Sequence, residues 1–250
     1  MPSSLDHAPT AGLVVIGNEI LSGKTADSNA PYLAKELRFL GVVLARILTI
    51  PDEFGLIGRC VRDFASEFTW VFTSGGVGPT HDDITIAAIA AGFGVPVVSD
   101  ARLQAALRGH YQGRLTEDHL QMAKVPQGSE LIDVPGLAYP QVQFRNVIIL
   151  PGVPELFRTK FSAIKARFAG RPIRLREVFL RADEGTVAGA LRKTADEFPA
   201  VLIGSYPSFR REEYSVKVTL EAYENDGLDK AAAALEARLK DMNAQIVRVS

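Results

Sequence analysis

The residue types best suited to chemistry occur together in one glycine-rich segment, residues 73–85 (TSGGVGPTHDDIT). Glycines allow sharp turns that point several backbone N–H groups at one place, and a helix start adds partial positive charge, so the segment can bind an anion. The carboxylates of Asp82 and Asp83 would repel a phosphate on their own, but they can hold Mg²⁺ together with phosphate oxygens. A structural alternative stays open, in which the glycines form a turn and Thr80 or Asp82 caps the next helix. The segment has neither the lysine nor the spacing of a P-loop or a dinucleotide fingerprint.

Three further segments place polar side chains directly after short apolar runs. The candidates are Glu19, Asp27 and Asn29 after the first run, Asp52 after the second, and Gly152, Pro154 and Glu155 after a later one. Most of them have a structural alternative, because aspartates cap helices and a Pro-Glu pair suits the start of a helix. That alternative is weakest for Glu19, so Glu19 is a stronger candidate for an acid or base than the others.

The elements that must position these residues alternate along the first two thirds of the chain. Apolar runs predict strands at 12–17, 42–50, 70–73 and 146–150, and helical periodicity predicts helices near 30–40, 54–64, 84–91 and 154–168. Residues 99–126 are predicted to be mainly helical, and residues 127–145 show no clear period. This alternation is typical of a doubly wound α/β domain with a mostly parallel sheet, in which ligands bind at the carboxyl ends of the strands. We therefore expect the four polar segments to meet at that edge.

A different order of elements follows the short segment 169–172 (AGRP), where a domain boundary is expected. Beyond it the patterns predict strand, helix, strand, strand, helix and strand, the order of a small split-βαβ, ferredoxin- or KH-like α+β domain. The sequence thus predicts an α/β domain over 1–170 and a small α+β domain over 171–250.

Composition argues against several classes of function. The 250 residues include 28 basic and 29 acidic side chains, a net charge of -1, which disfavours a nucleic-acid partner. No apolar stretch is long enough to span a membrane, and the first eleven residues lack the pattern of a secretory signal. The single cysteine, Cys60, fits a reducing compartment, so we expect a cytoplasmic protein without a membrane partner.

Three segments in this order resemble the molybdopterin-binding (molybdenum-cofactor biosynthesis) domain superfamily, and more narrowly the amino-terminal module of CinA proteins. They are IGNEILSGKTADSNAPYLAKEL at 16–37, TSGGVGPTHDDIT at 73–85 and LPGVPE at 150–155. The second is highly specific, and the resemblance extends from residue 13 to about 168. It implies the molybdenum-cofactor biosynthesis fold and a homo-oligomer, either a dimer or a trimer.

The resemblance also implies an activity. Similar members hydrolyse the pyrophosphate of ADP-ribose or FAD with Mg²⁺ or another divalent metal, and others bind molybdopterin or adenylylate it. The expected metal-binding and catalytic residues are Asp83 and Asp82, with Asp52 or Glu19 as the candidate general base. The expected ligand-binding residues are Gly75, Gly76, Gly78, Thr80, Thr85, Asp27, Asn29, Gly152, Pro154 and Glu155. We expect a nucleotide or pterin ligand; a non-catalytic binding protein and a molybdopterin adenylyltransferase are the alternatives.

Two segments depart from the usual CinA pattern. Residues 119–126 (HLQMAKVP) and 136–140 (GLAYP) are closer to the molybdopterin-binding-like domain of eukaryotic FAD synthase. This departure favours FAD or a related dinucleotide over ADP-ribose. The amidohydrolase domain that often follows in CinA proteins is not present before Ser250, so we do not expect deamidase activity.

Overall fold

The computed structural model describes residues 8–208, 213–223 and 225–250, with only the backbone at 225 and 226. Within these residues, Pro9–Gly170 and Arg171–Ser250 form separate compact units. None of the helices in the described ranges combines the length and the apolar character needed to cross a membrane.

The first unit, Pro9–Gly170, alternates strands and helices over most of its length. In chain order its elements are β1 (Thr10–Ile16), α1 (Asn18–Leu21), α2 (Asn29–Phe39), β2 (Val43–Ile50), α3 (Phe54–Glu67), β3 (Trp70–Ser74), α4 (Thr85–Gly92), β4 (Val97–Ser99), α5 (Ala101–Tyr111), α6 (Glu117–Gln121), β5 (Lys124–Pro126), β6 (Glu130–Val134), β7 (Leu137–Phe144), β8 (Val147–Leu150) and α7 (Pro154–Ile164), with 3-10 turns at Gln112–Arg114 and Lys165–Phe168.

The main sheet of this unit has the strand order β2-β1-β3-β8-β7-β6. β2, β1, β3 and β8 pair in parallel, and β7 is antiparallel to β8 and β6. On β1, Leu13 and Val15 pack in the core with α2 and α7, whereas Val14 and Ile16 pack in the core with α3, α4 and α5. Because helices cover both faces of the sheet, the predicted doubly wound α/β fold is confirmed.

Strands β6 and β7 lie where the sequence showed no clear period. β7 contains Pro140 and two polar residues, Gln141 and Gln143, that are buried in the strand. The Gln141 side-chain amide donates to the carbonyl oxygens of Val142 and Ile149 at 2.7 and 2.6 Å. These buried polar residues removed the apolar pattern on which the prediction relied. The stretch 99–126, predicted to be mainly helical, contains α5 and α6 but ends in β5.

The second unit, Arg171–Ser250, is a small α+β fold. Its described elements are β9 (Arg174–Arg181), α8 (Glu184–Glu197), β10 (Leu202–Pro207), β11 (Val216–Ala222), α9 (Asn225–Asp241) and β12 (Gln245–Val249). The antiparallel sheet has the order β10-β11-β9-β12, so the first strand lies between the third and the last. Val178, Leu180 and Val218 pack from the sheet into a core that includes α8 and α9. The predicted β-α-β-β-α-β order is confirmed.

Candidate functional site

The glycine loop, residues 75–84, connects the carboxyl end of β3 to α4. Gly75 has a φ of +113°, and a Cβ at this position would collide with the carbonyl oxygen of Ile16 at the end of β1. The Gly75 N–H donates to the carbonyl oxygen of Leu150 at the end of β8, at 3.2 Å. The loop therefore contacts the ends of β1 and β8, the two strands that flank β3, and only glycine fits that conformation in that space.

Thr85, a predicted ligand-binding residue, lies fully buried beneath this loop. Its hydroxyl donates to the carbonyl oxygen of Gly75 at 3.1 Å, and its backbone N–H donates to the carbonyl oxygen of Gly76 at 3.0 Å. These bonds hold two loop carbonyls inward, toward the start of α4. In this structure Thr85 therefore positions the loop and does not line the cavity described below.

The two adjacent aspartates of the loop face different environments. The Thr80 N–H donates to Oδ2 of Asp83 at 2.8 Å, and the Thr80 hydroxyl lies 2.5 Å from the same atom and 2.6 Å from Oδ1 of Asp82. A hydroxyl carries one proton, so it can donate to only one of these carboxylates at a time. Asp83 lines the cavity, whereas the Asp82 side chain is 61% exposed and does not. The Thr80 hydroxyl, followed by the backbone amide of Asp82 itself, lowers the pKa of the Asp82 carboxyl.

Glu19 and Asp52, the two other predicted acids, also differ. Glu19 lines the cavity together with Thr25, close to the end of β1. Oδ2 of Asp52 accepts a hydrogen bond from the backbone N–H of Asn18 at 2.8 Å and does not line the cavity. Asp52 thus caps the start of α1 and not the start of α3, the next helix in the chain. The reason is the sheet order, since β1 and β2 are neighbours and their following residues lie side by side.

Asp27 and Asn29 support the site from outside the cavity lining. Oδ1 of Asp27 accepts from the backbone N–H groups of Asn29 and Ala30, at 2.8 and 3.2 Å, and so caps α2. Asn29 is only 4% exposed, and its side-chain amide donates to the Ser74 hydroxyl at 2.9 Å and to the Gly152 carbonyl oxygen at 2.8 Å. This side chain therefore ties the end of β3 to the loop that follows β8.

The loop after β8, residues 151–153, lies against the glycine loop. A Cβ added to Gly152 would lie 3.3 Å from the Cα of Gly75. Gly152 and Pro154 line the cavity, and Pro154 opens α7 as predicted. Glu155 lies in the first turn of α7, is exposed and does not line the cavity.

These segments surround a cavity of about 740 Å³ in the first unit. The end that we call the glycine-loop end is lined by Glu19, Thr25, Gly75, Gly76, Val77, Gly78, Pro79, Asp83, Pro151, Gly152, Val153 and Pro154. The end that we call the apolar end is lined by Ile86, Ala106, Leu107, His110, Tyr111, Met122, Lys124, Leu137, Ala138, Tyr139, Val142, Ile149, Leu156 and Lys160. Because β7 runs antiparallel to β8, its first residues lie at the same sheet edge as the loop after β8. The volume suits a nucleotide-sized ligand.

Lys160, at the apolar end, was not predicted from the sequence. It is 7% exposed, and its Nζ donates to the carbonyl oxygens of Tyr139 and Pro140 at 3.3 and 2.9 Å. No carboxylate among the described residues pairs with it. Burial lowers the pKa of Lys160 to about 8. The sequence did hold a signal, because Lys160 occupies a position that the spacing of Phe157, Phe161 and Ile164 assigns to the apolar face of α7.

Tyr139 forms the wall beside this lysine. Its hydroxyl donates to the carbonyl oxygen of Met122, and burial, with a smaller contribution from the charge of Asp100, raises the pKa of the phenol. The Lys160 Nζ lies 4.9 Å from the centre of the Tyr139 ring. The apolar end therefore combines a fixed aromatic wall with a buried cation.

Mg²⁺ fits the acidic residues only as a metal shared with a ligand. Asp83 and Glu19 supply the hard oxygen atoms that Mg²⁺ prefers. Nowhere in the described ranges, however, do three or more His, Cys, Asp or Glu side chains cluster as a metal site. Asp83, alone or with Asp82, would need phosphate oxygens and water to complete the coordination. Mg²⁺ and molybdopterin therefore stay predictions.

A doubly wound α/β unit whose glycine loop and carboxylate line one cavity defines a protein that binds a small ligand at the sheet edge. Residues 12–170 match the family described as "Probable molybdopterin binding domain", and residues 172–247 match "FAD synthase, middle domain". The chain belongs to the molybdopterin-binding domain family, as a CinA-like member whose remaining part is similar to the middle domain of FAD synthase. The resemblance inferred from the sequence is confirmed.

Three relatives illustrate this similarity. A "Probable FAD synthase" of Caenorhabditis briggsae is 32% identical over 92% of this chain and 49% of its own length. A "CinA-like protein" of Myxococcus xanthus is 31% identical over 92% of this chain and 58% of its own length. The crystal structure of CinA from Thermoplasma acidophilum, a protein described as of unknown function, shares 32% identity with a TM-score of 0.60, over 64% of this chain and 98% of its own. The chain thus spans about half the length of the curated FAD synthase.

Proposed function

We propose that the cavity binds a dinucleotide such as FAD or ADP-ribose and that the protein hydrolyses its pyrophosphate in a metal-dependent reaction. The observation that carries the proposal is the position of Asp83 inside the glycine loop. A Cβ added to Gly78 would lie 2.6 Å from Oδ2 of Asp83, and both residues line the cavity. A phosphate bound to the loop amides would therefore lie next to a carboxylate, an arrangement that calls for a bridging cation.

Each group at the glycine-loop end has its own role in the proposed reaction. The loop N–H groups bind and orient the diphosphate, and the carboxylate of Asp83 provides the anionic oxygen beside it. When bound there, a divalent metal would neutralise the charge on the phosphate oxygens and lower the pKa of an attacking water. Glu19 lines the same end of the cavity and is our candidate to accept the proton of that water. A new P–O bond forms to the water oxygen, the bridging P–O bond breaks, and the leaving phosphate keeps the electron pair.

The similarity to proteins named FAD synthase supports a nucleotide as the ligand, and the departures at 119–126 and 136–140 favour FAD. Asp52 and Asp82 are weaker candidates for the chemistry than Glu19 and Asp83, because neither lines the cavity.

The test is hydrolysis of FAD and of ADP-ribose by the full chain with Mg²⁺ or Co²⁺. We expect Asp83→Asn to lower turnover by about 100-fold or more, and Glu19→Gln by a similar factor. Asp82→Asn is the matched control, because it removes the neighbouring charge without touching the cavity, and it should cost less than about tenfold. Equal turnover by the wild-type protein and Asp83→Asn would exclude this mechanism.

A second candidate function is a non-catalytic nucleotide- or pterin-binding protein. It is favoured by the contacts of Thr80, which give both aspartates a local structural role. On this alternative no dinucleotide is hydrolysed with any divalent metal, and Asp83→Asn leaves the affinity unchanged or raises it by removing a charge near the phosphate. Calorimetry with ADP-ribose and FAD, with and without Mg²⁺, separates the two functions.

A further inference from the structure

Lys160 is an exception to the usual placement of charged side chains. Lysines are almost never fully buried unless they are paired, because moving a charge out of water is costly. In this protein the buried ammonium has two carbonyl acceptors, from Tyr139 and Pro140, and no carboxylate partner among the described residues. An ammonium has three N–H donors, so one donor is left without an acceptor in the described structure.

The distance between this donor and the glycine loop sets the length that a ligand must have to reach both. The two acceptors belong to β7, and the glycine loop follows β3, which is separated from β7 by the single strand β8. Two strand spacings correspond to about 10 Å. A ligand with a phosphate in the glycine loop can therefore place a second polar group near Lys160 only if a linker separates the two.

The surroundings of Lys160 indicate the chemistry of that second group. Tyr139, Tyr111, Met122 and Leu107 give the apolar end flat and apolar walls, which favour a planar ring. Since Lys160 can only donate and has one free N–H, the ring should face it with an acceptor that has no donor beside it. The edge of adenine that carries N7 also carries the donor N6 amine. Flavins and pterins instead share an edge on which a carbonyl oxygen and a ring nitrogen are both acceptors.

We propose that Lys160 is the specificity-determining residue of the apolar end, where its ammonium donates to the carbonyl- and nitrogen-bearing edge of a flavin or pterin ring. This inference rests on the proposed function, because it takes the ring to belong to the ligand whose phosphate occupies the glycine loop. It adds a reason for the cavity to select one class of ring over another. It also explains why a position on the apolar face of α7 carries a lysine.

The test uses probes that carry the ring without a phosphate, so that the glycine loop does not contribute. Binding of riboflavin, neopterin and adenosine to the full-length protein is measured by fluorescence or calorimetry. The wild-type protein should bind riboflavin or neopterin more tightly than adenosine. Whichever of riboflavin and neopterin binds more tightly identifies the ring class. Failure to bind either of them, or a preference for adenosine, would overturn the proposal.

Variants then assign the preference to Lys160. Lys160→Met keeps the length of the side chain and removes its charge. It should weaken binding of the preferred ring compound by about tenfold and leave the affinity for adenosine unchanged. Lys160→Gln keeps a neutral donor and should recover part of the loss, which also covers the case in which Lys160→Met does not fold. Lys35→Met is the control, because Lys35 is an exposed lysine outside the cavity lining, and its effect on the affinity for either ring should be at most about twofold. Equal losses for riboflavin and adenosine would assign the effect to general damage and refute the role in specificity.

The two proposals fail in different ways. Asp83→Asn should lower hydrolysis by about 100-fold or more while riboflavin still binds, whereas Lys160→Met should weaken riboflavin binding by about tenfold while ADP-ribose is still hydrolysed. A protein with a Lys160-dependent ring preference and no hydrolytic activity would refute the proposed reaction and support the specificity role.

Discussion

The glycine-loop end and the apolar end of the cavity are built in different ways. The first is made mostly of backbone, and several of its contacts lie within the glycine loop, such as the bonds from Thr80 to Asp83 and from Thr85 to Gly76. Longer-range bonds from Gly75 and Asn29 then attach this loop to the end of β8 and the residues that follow it. The second is made of side chains from α5, β7 and α7, which are distant in sequence and come together only in the folded sheet. One segment therefore carries the loop amides and Asp83, and the ends of β1 and β8 hold it in place, whereas the apolar end depends wholly on packing between elements distant in sequence.

The largest effect on stability and ligand binding is expected at the glycine-loop end, from Gly75→Ala. The substitution forces an L-residue into a φ of +113° and places a Cβ against the Ile16 carbonyl oxygen. We expect a loss of about 2–4 kcal/mol in the free energy of unfolding, together with loss of ADP-ribose binding. Thermal unfolding and calorimetry measure the two effects.

Gly94→Ala separates the strain of a positive φ from the steric clash of the added Cβ. Gly94 also has a positive φ, +67°, but a Cβ there meets nothing within 4 Å. It should cost only about 1 kcal/mol and leave ligand binding intact. Equal effects of the two substitutions would contradict the close approach of the glycine loop to β1.

The next largest effect is a change of the free energy of unfolding with pH, caused by Lys160 at the apolar end. Burial lowers the pKa of Lys160 to about 8 from an ordinary value of 10.5, so between these values the unfolded chain binds more protons than the folded chain. The free energy of unfolding should therefore rise between pH 8 and pH 10, on the order of 2–3 kcal/mol. Lys160→Met should lack this rise in urea titrations across the same range. The raised pKa of Cys60, caused mainly by burial, acts in the opposite direction from about pH 9, and the raised pKa of Tyr139 does so above pH 10. The contribution of Lys160 is therefore read as the difference between the wild-type protein and Lys160→Met.

The same contrast explains how far the sequence predicted the molecule. The parallel strands, both predicted domain patterns and the glycine loop follow from local signals, namely apolar runs, helical periodicity and turn residues. Pro140, Gln141 and Gln143 hid β7 because they contradict a strand pattern, and with β7 the sequence missed one wall of the cavity. Lys160 is an intermediate case, since its place on an apolar helix face is visible in the sequence but its acceptors on β7 are not.

A smaller effect is expected from Asn29→Ala, which tests how the glycine-loop end is supported. The substitution leaves the buried Ser74 hydroxyl and the carbonyl oxygen of the exposed Gly152 without their shared donor. We expect a loss of about 1–2 kcal/mol in the free energy of unfolding and weaker ADP-ribose binding, with riboflavin binding unchanged. Ser28→Ala is the control at the same helix start, because the Ser28 side chain makes no capping bond, and it should stay within about 0.5 kcal/mol. A riboflavin affinity that falls with Asn29→Ala would show that the two ends do not act separately.

The smallest effect is expected from Thr80→Val, which keeps the shape of the side chain and removes its hydroxyl. The Thr80 hydroxyl is the main cause that lowers the pKa of Asp82, so this pKa should rise toward its ordinary value in an NMR titration of the carboxyl carbons. Asp83 keeps its bond from the Thr80 backbone N–H and should remain in the cavity lining. His81→Gln is the control, because the charge of His81 is the smallest of the causes that act on Asp82, and it should move the pKa less. If Thr80→Val left the Asp82 titration unchanged, the hydroxyl would not donate to Asp82, and Thr80 would belong with the cavity-lining Asp83 and not with the outer support of the site.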